Sequence, residues 1–237
     1  MELSEIRKHS LQPDRTEKKT MKTLMMIACS GALLLNAACS TAPKVNGEKP
    51  SELELAPMEL PVYTSPTKFL QKDMKDGSDR YYKYTKVRDD GAYEGENHKG
   101  CSWVESAQLV SPAVRWDNCG GSGNWHSGTV INFSRKGNIW PLKAGNEESQ
   151  TFNFVDATGK VGERNVRKCK VEGLVNIEVT IGNVDAYKVV CKRTRDTWSQ
   201  TRVWYFSPEH NAAVKYLKSS SSDGVEYDHE LVGVESI

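Results

Sequence analysis

The chain has 237 residues, with 32 Lys or Arg against 31 Asp or Glu, so its formal net charge is +1. A balance this close to neutrality argues against the strong positive field by which nucleic-acid-binding domains attract phosphate. The six cysteines include no CxxC pair and the five histidines show no paired spacing, so neither a metal site nor a cofactor is expected.

Residues 21–39, MKTLMMIACSGALLLNAAC, have the pattern of a signal peptide. Lys22 is followed by an apolar run at 24–35, which is shorter than the roughly 20 apolar residues that span a bilayer. Two alanines then precede Cys39. This stretch resembles the lipobox of bacterial lipoproteins, in which a peptidase cuts before a cysteine that becomes diacylated. The resemblance implies that Cys39 carries lipid, with palmitate among its acyl chains.

One position departs from that pattern, because Asn36 stands where lipoproteins usually have leucine. Ordinary cleavage after Ala42 would instead release a soluble periplasmic protein. Ser40, in place of the aspartate that resembles an inner-membrane retention signal, favours the outer membrane. The expected location is therefore the periplasmic face of the outer membrane, with soluble periplasmic protein as the alternative.

The chain is expected to have four parts. Residues 1–20 lack apolar periodicity and are better explained by translation from an upstream Met than as a functional segment. Residues 21–38 are the signal peptide, and 39–67 form a tether with five prolines, which disfavour helix and central strand. The alternative is that residues 53–62 of the tether lie against the domain. Residues 68–237 form one domain, as their length suits.

Four cysteines remain once the signal peptide is removed and Cys39 takes lipid. An even number in an oxidising periplasm predicts two disulfides, and four cysteines allow three pairings. We favour Cys101–Cys119 and Cys169–Cys191, because each pair bounds a short segment compatible with neighbouring strands.

The domain is predicted to be all-β and antiparallel. Short strand-like segments are separated by turn residues every 8–12 positions, and no segment keeps a 3.6-residue apolar period over helix length. A short helical turn is expected at 68–75. The expected strands are near 80–88, 101–109, 114–116, 129–133, 150–155, 165–171, 174–181, 187–194, 202–206, 212–218 and 225–234.

Several motifs occur in a fixed order in the domain: WPLKAG at 140–145, CKVEG at 169–173, GNVDAYKVVC at 182–191 and WYFSP at 204–208. Their order over about residues 80–235 resembles a group of uncharacterised bacterial envelope proteins. The resemblance implies a single, strongly bent antiparallel sheet, a half-barrel, with a small sandwich as the alternative. It implies no activity.

Aromatic side chains are the first candidates for a ligand groove on such a sheet. Trp140, Tyr187, Trp204 and Tyr205 could line a concave apolar face that takes an acyl chain or a peptide. The simpler interpretation is that they are core or sheet-face residues, since aromatics are enriched in strands.

Polar groups give no catalytic motif. His126 and Ser127 lie in a glycine-rich loop without a nucleophile elbow, and Glu209-His210 reads as a turn. An enzyme would need at least two of His126, His210, Glu209 and Asp185 within hydrogen-bond reach.

A basic and aromatic hairpin surrounds Trp198. It could touch an anionic glycan, a lipid head group or a protein, although a solvated tip is the simpler interpretation. Its basic members are Lys192, Arg193, Arg195 and Arg202.

The expected function is a non-enzymatic binding or assembly module of the cell envelope. It would attach to the membrane through its lipid and bind an envelope protein, glycan or lipid, with no role for nucleic acid. The alternatives are an enzyme acting on envelope polymers and a structural surface lipoprotein.

Overall fold

The computed structural model describes residues 45–120 and 123–237. The predicted signal peptide, Cys39 and the start of the tether lie outside these residues. The described part is all-β, as predicted, with one 3-10 turn at Gly123–His126. The described residues contain no helix that is long and apolar enough to cross a membrane.

Twelve antiparallel strands follow one another around a closed barrel in chain order, and the last pairs with the first. A short thirteenth strand, β1 (Lys49–Pro50), pairs with the C-terminal part of β9, which does not pair with β8. The barrel strands are β2 (Thr67–Asp73), β3 (Asp79–Val87), β4 (Tyr93–Asn97), β5 (Ser102–Glu105), β6 (Arg115–Asp117), β7 (Gly128–Gly137), β8 (Glu147–Asp156), β9 (Val161–Val179), β10 (Gly182–Arg195), β11 (Trp198–Ser207), β12 (Ala212–Ser220) and β13 (Gly224–Ser236).

The expected half-barrel or small sandwich is wrong, because the sheet closes. The helical turn expected at 68–75 is instead strand β2, which pairs with β13 from Thr67 opposite Ser236 to Asp73 opposite His229. Strand β4, which we did not predict, joins β3 to β5. Because β2 pairs with β13 and β4 continues the sheet from β3 to β5, neither β2 nor β13 is an exposed sheet edge. An exposed edge has unpaired N–H and C=O groups, which favour aggregation.

The segments expected as two strands at 165–171 and 174–181 form one strand, β9, with a register shift opposite Lys188 and Val189. Its hairpin with β10 contacts β13. Thr180 at the tip donates from its backbone N and its Oγ1 to the Glu230 carboxylate, each over 2.7 Å.

One end of the barrel, which we call the sealed end, is filled by apolar side chains. The long connections 106–114 and 138–146 contribute Val110, Ile139 and Leu142, which are at most 1% exposed. Leu142 and Met58 exchange two backbone hydrogen bonds of 2.7 and 3.1 Å. The interior at this end is therefore a hydrophobic core that includes a residue from before β2.

Residues 45–66, the N-terminal strap, pack along the barrel. Glu48 contacts Lys188 Nζ and Tyr205 Oη, each at 2.7 Å. The Tyr187 hydroxyl lies 3.2 Å from the Leu55 carbonyl and 3.0 Å from that of Ala56. The described part of the predicted tether thus follows the alternative in which this segment lies against the domain.

Both expected disulfides are formed. Cys169 and Cys191 are buried and lie directly opposite each other in β9 and β10. Cys101 precedes β5 and Cys119 follows β6, so the second bond joins two strand ends.

Candidate ligand cavity in the barrel lumen

The half of the barrel away from the sealed end encloses a cavity of about 430 Å³, within the range of small-molecule sites. It extends to the barrel end at which the Cys101–Cys119 disulfide lies, which we call the mouth. Its lining includes Gln71, Arg80, Tyr82, Tyr84, His98, Lys99, Trp103, Glu105, Ala113, Trp116, Arg202, Trp204, Phe206, Ala213, Tyr216, Tyr227 and His229.

Aromatic side chains form much of the wall. Strand alternation brings every second residue to the inner face, and many of these residues are Tyr or Trp. Tyr82 stacks on Phe69 with ring centres 4.6 Å apart. On the β11–β12 side, directly opposed Trp204 and Tyr216 lie with ring centres 5.3 Å apart. These faces can receive a flat or apolar ligand body.

Two glycines make room for tryptophan rings in this wall. Gly95 lies opposite Trp103, and a Cβ at that position would stand 2.7 Å from the indole. A Cβ at Gly128 would stand 2.5 Å from the Trp116 ring. Both rings can therefore lie flat on a neighbouring strand and leave the lumen open.

Glu105 is the one acidic residue in the lining of this cavity. Its Oε2 accepts hydrogen bonds from Tyr84 Oη at 2.9 Å and from Trp103 Nε1 at 3.4 Å. Burial raises the pKa of Glu105 to about 7, against the lowering effect of those two donors and of distant Arg202 and Arg167. Near neutral pH its carboxyl group is therefore partly protonated.

Three arginines contribute positive charge to the lumen. Arg202 lines the cavity and lies directly opposite Cys191. Directly opposed residues share a face of the sheet, so Cys191 and its second neighbour Arg193 also point inwards. The same alternation from Cys169 places Arg167 inside, where it is 1% exposed.

These arginines have few partners. Arg167 donates from Nη1 to the Val110 carbonyl at 2.8 Å, but its Nε has none. The Nε of Arg193 is also buried without a partner, although its guanidinium lies 4.6 Å from the centre of the Trp198 ring. Arg202 donates from Nε to Gln200 Oε1 at 2.9 Å.

No carboxylate of residues 45–120 or 123–237 comes within 4.0 Å of the side-chain nitrogens of Arg167, Arg193 or Arg202. Burial and the neighbouring arginines lower the pKa of Arg167 and bring the pKa of Arg193 to about 9. Glu148 and Glu226 lie close enough to favour the charged forms of Arg167 and Arg193, but neither forms an ion pair with them. Positive charge is thus gathered inside the barrel without a directly paired carboxylate from the described chain.

The four aromatic groove candidates are not brought together. Trp204 lines the cavity, whereas Trp140 packs in the sealed end, with Nε1 donating to the Gln108 carbonyl at 3.2 Å. Tyr187 hydrogen-bonds the strap, and Tyr205 faces outwards to Glu48.

The polar candidates are also scattered. Ser127 Oγ donates to the Asp117 carboxylate, and His126 Nδ1 faces the Gly123 carbonyl at 3.1 Å. His210 contacts Ser207 Oγ at 3.1 Å. Within the described chain, no two of His126, Asp185, Glu209 and His210 are hydrogen-bonded to each other.

The hairpin around Trp198 divides between the two faces of the sheet. Lys192 is exposed on the outer face. Arg193, Arg195 and Arg202 share the inner face, where Arg195 lies 3.4 Å from Glu163 near the end of the strand. Sequence reasoning treated this hairpin as one surface feature. The sequence signal that distinguishes the two faces is Cys191. Its disulfide points to the inner face, so every second residue from Cys191 along β10 also points inwards.

The described residues contain no group of three or more His, Cys, Asp or Glu side chains that could hold a metal ion. Comparison with family models, with curated proteins and with solved structures finds no match for this chain.

Proposed function

We propose that this protein is a non-enzymatic binding module of the bacterial cell envelope. In this proposal lipid on Cys39 holds it at the periplasmic face of the outer membrane, and the barrel lumen carries a small ligand. The observation that supports binding most directly is the cavity of about 430 Å³ with its aromatic wall and Arg202.

The contrast with the sealed end supports this proposal. There the chain fills its interior with Ile139, Leu142 and Val110. Interiors are normally packed to high density, so an open volume lined by aromatic and charged groups needs a reason. A ligand supplies that reason. The width of a twelve-stranded barrel can leave open space, but it does not account for the aromatic and charged side chains that line it.

Native mass spectrometry of the full-length protein, purified from its host envelope in mild detergent, tests ligand binding. The wild-type protein is expected to carry a defined additional mass that denaturation releases. Ala213→Trp fills the cavity from β12 and should remove this mass. Lys192→Trp adds the same side chain on the exposed face of β10 and should retain it.

The two variants are compared by circular dichroism and thermal unfolding, so that loss of ligand is separated from loss of fold. Should Ala213→Trp fail to fold, Ala113→Trp enters the cavity from another wall. A wild-type protein without bound mass, or an equal mass in a folded cavity-filling variant, would contradict lumenal binding.

The anchor is tested separately by labelling cells with radioactive palmitate. Label is expected in the mature wild-type protein and not in Cys39→Ala. Equal labelling of the two proteins, or none in either, would contradict lipidation at Cys39 and favour the soluble periplasmic alternative.

A further inference from the structure

The proposal that the lumen binds a ligand can be carried one step further, to the chemistry of that ligand. We propose that it is an organic anion, with its acidic group beside Arg202 and its apolar body between Tyr82 on one wall and Trp204 and Tyr216 on the other. This inference rests on the proposed lumenal binding.

The charges that line the cavity are unequal. Its cationic residues are Arg80, Lys99 and Arg202, against Glu105 alone on the acidic side. Asp73, which is not part of the lining, lies 2.7 Å from Arg80 and 3.5 Å from His229. Arg202 has no carboxylate within ion-pair distance in the described chain, and it is half-buried in the wall, whereas Lys99 is exposed. Arg202 is therefore the cation we place beside the ligand.

Arg167 and Arg193 strengthen the positive potential around Arg202. Each guanidinium is close enough to Arg202 to be destabilised by its charge. Arg167 is nearly fully buried, and its Nε lacks a partner. Unpaired charge in a low-dielectric interior is costly, and an anion in the lumen would offset that cost for all three side chains.

The geometry of guanidinium also favours a carboxylate, sulfonate or phosphate group. A guanidinium can present two parallel N–H donors to a planar or tetrahedral anion. Arg202 uses Nε on Gln200, which leaves its terminal nitrogens for a ligand. A neutral ligand would gain the aromatic contacts but leave the arginine charge uncompensated.

The aromatic wall limits what the rest of the ligand can be. Tyr82 stacks on Phe69 on one side and Trp204 lies against Tyr216 on the other, so these side chains form apolar surfaces with fixed neighbours. Such surfaces accept an aromatic or alkyl body.

Two fluorescent probes with the same aromatic body separate the effect of charge. Anilinonaphthalene sulfonate is anionic, and phenylnaphthylamine lacks the sulfonate. With ligand-free full-length protein, the sulfonate is expected to bind at least about tenfold more tightly, a difference of about 1.4 kcal/mol. Ala213→Trp should abolish binding of both probes, since it fills the cavity.

Arg202→Met should weaken binding of the sulfonate about tenfold and change that of the neutral probe less than about twofold. Arg202→Lys keeps the charge and should recover part of the affinity. The matched control is Lys192→Met, which removes one positive charge from the exposed face of the neighbouring strand and should alter neither affinity. Arg202→Gln replaces Arg202→Met if the latter does not fold.

The outcomes distinguish the inference from the function on which it rests. Failure of both probes, together with no native ligand, would overturn lumenal binding itself. Equal affinity for the two probes, unchanged in Arg202→Met, would overturn only the anion assignment. Sulfonate binding that persists in folded Ala213→Trp would also overturn the assignment, because the site would then lie outside the lumen. Displacement by decanoate or by naphthoate identifies an alkyl or aromatic body.

Discussion

The sealed end and the cavity half belong to one barrel but have opposite interiors. At the sealed end Ile139 and Leu142 are fully buried among apolar neighbours. In the cavity half, Arg202 and Glu105 face an open volume between aromatic rings. Under the proposed function, stability and binding depend mainly on different layers of the same fold.

Loop length explains much of this difference. The connections at the sealed end, such as 106–114 and 138–146, are long enough to fold inwards and fill the barrel. At the opposite end several turns are short, including 196–197 and 221–223, and the long connection 118–127 buries none of its described residues. A closed sheet of twelve strands is too wide to be filled by its own side chains alone, so the loops decide which end is solid.

The largest expected effect is that of removing a large side chain from the sealed end. Trp140→Ala deletes a ring that is 6% exposed and packs edge-on against Phe206 at 5.3 Å. We expect the free energy of unfolding to fall by about 4 kcal/mol, measured by urea denaturation. Probe affinity in the folded protein should change little, because Trp140 reaches the cavity only through Phe206. Trp204→Ala is the matching variant in the cavity half. It should abolish probe binding and lower the free energy of unfolding by less than Trp140→Ala does. Equal behaviour of the two variants would remove the distinction between the layers.

The two disulfides sharpen the comparison because their loops are similar, with sequence separations of 18 and 22 residues. Chain entropy predicts about 3 kcal/mol for each. Replacing both Cys169 and Cys191 by Ala should lower the free energy of unfolding by about 1 kcal/mol more than this chain-entropy value. These side chains are at most 2% exposed, so their removal also leaves a void. Replacing Cys101 and Cys119 at the mouth should cost less stability but weaken probe binding. Urea unfolding and probe titration measure both effects, and the opposite order would contradict the assignment.

A pH effect is expected from the cavity half. Because the pKa of Glu105 is raised from 4.5 to about 7, the folded protein keeps a proton that the unfolded chain releases. The free energy of unfolding should therefore fall as pH rises from about 5 to about 8, by about 2 kcal/mol after allowance for water in the cavity. Glu105→Gln should flatten this part of the stability profile, whereas Glu209→Gln in an exposed turn should not. An unchanged slope in Glu105→Gln would show that another group carries the proton.

The smallest expected effect concerns the N-terminal strap outside the barrel. The Glu48 side chain is 16% exposed and contacts Lys188, which also lies 3.3 Å from Glu172. Because Glu172 remains as a partner, Glu48→Gln should cost only about 1 kcal/mol. A double-mutant cycle with Lys188→Met should give a coupling energy of similar size, and Glu52→Gln on the exposed strap is the control. A coupling near zero would mean that the Glu48–Lys188 ion pair does not help to hold the strap.

Local patterns predicted much of the sheet. Strand composition and turn spacing gave the region of most strands, and the spacing of the four cysteines gave both disulfide pairs. The prediction failed at β2 and β4. TKFLQKD at 67–73 has only two large apolar residues, and YEGEN at 93–97 has a central glycine and two acids. Neither pattern predicts a strand without its neighbours.

The cavity was harder to predict than the strands that form it. Of the four aromatic candidates, only Trp204 reaches it, and Arg167, Glu105 and Tyr82 were not considered. Their role depends on which face of each strand points inwards. Alternation along a strand gives two faces but does not say which of them becomes the lumen.

The sequence by itself determined the all-β class, the antiparallel order and the two cysteine pairs, because these depend on residues close together in the chain. Only the tertiary structure decided that β2 pairs with β13 and closes the barrel, since these strands are separated by most of the domain. Closure then made one face of the sheet an interior. It thereby placed Arg167, Arg193 and Arg202 on the inner face, where water screens their charges less than on the outer surface, and the proposed anion site follows from that position.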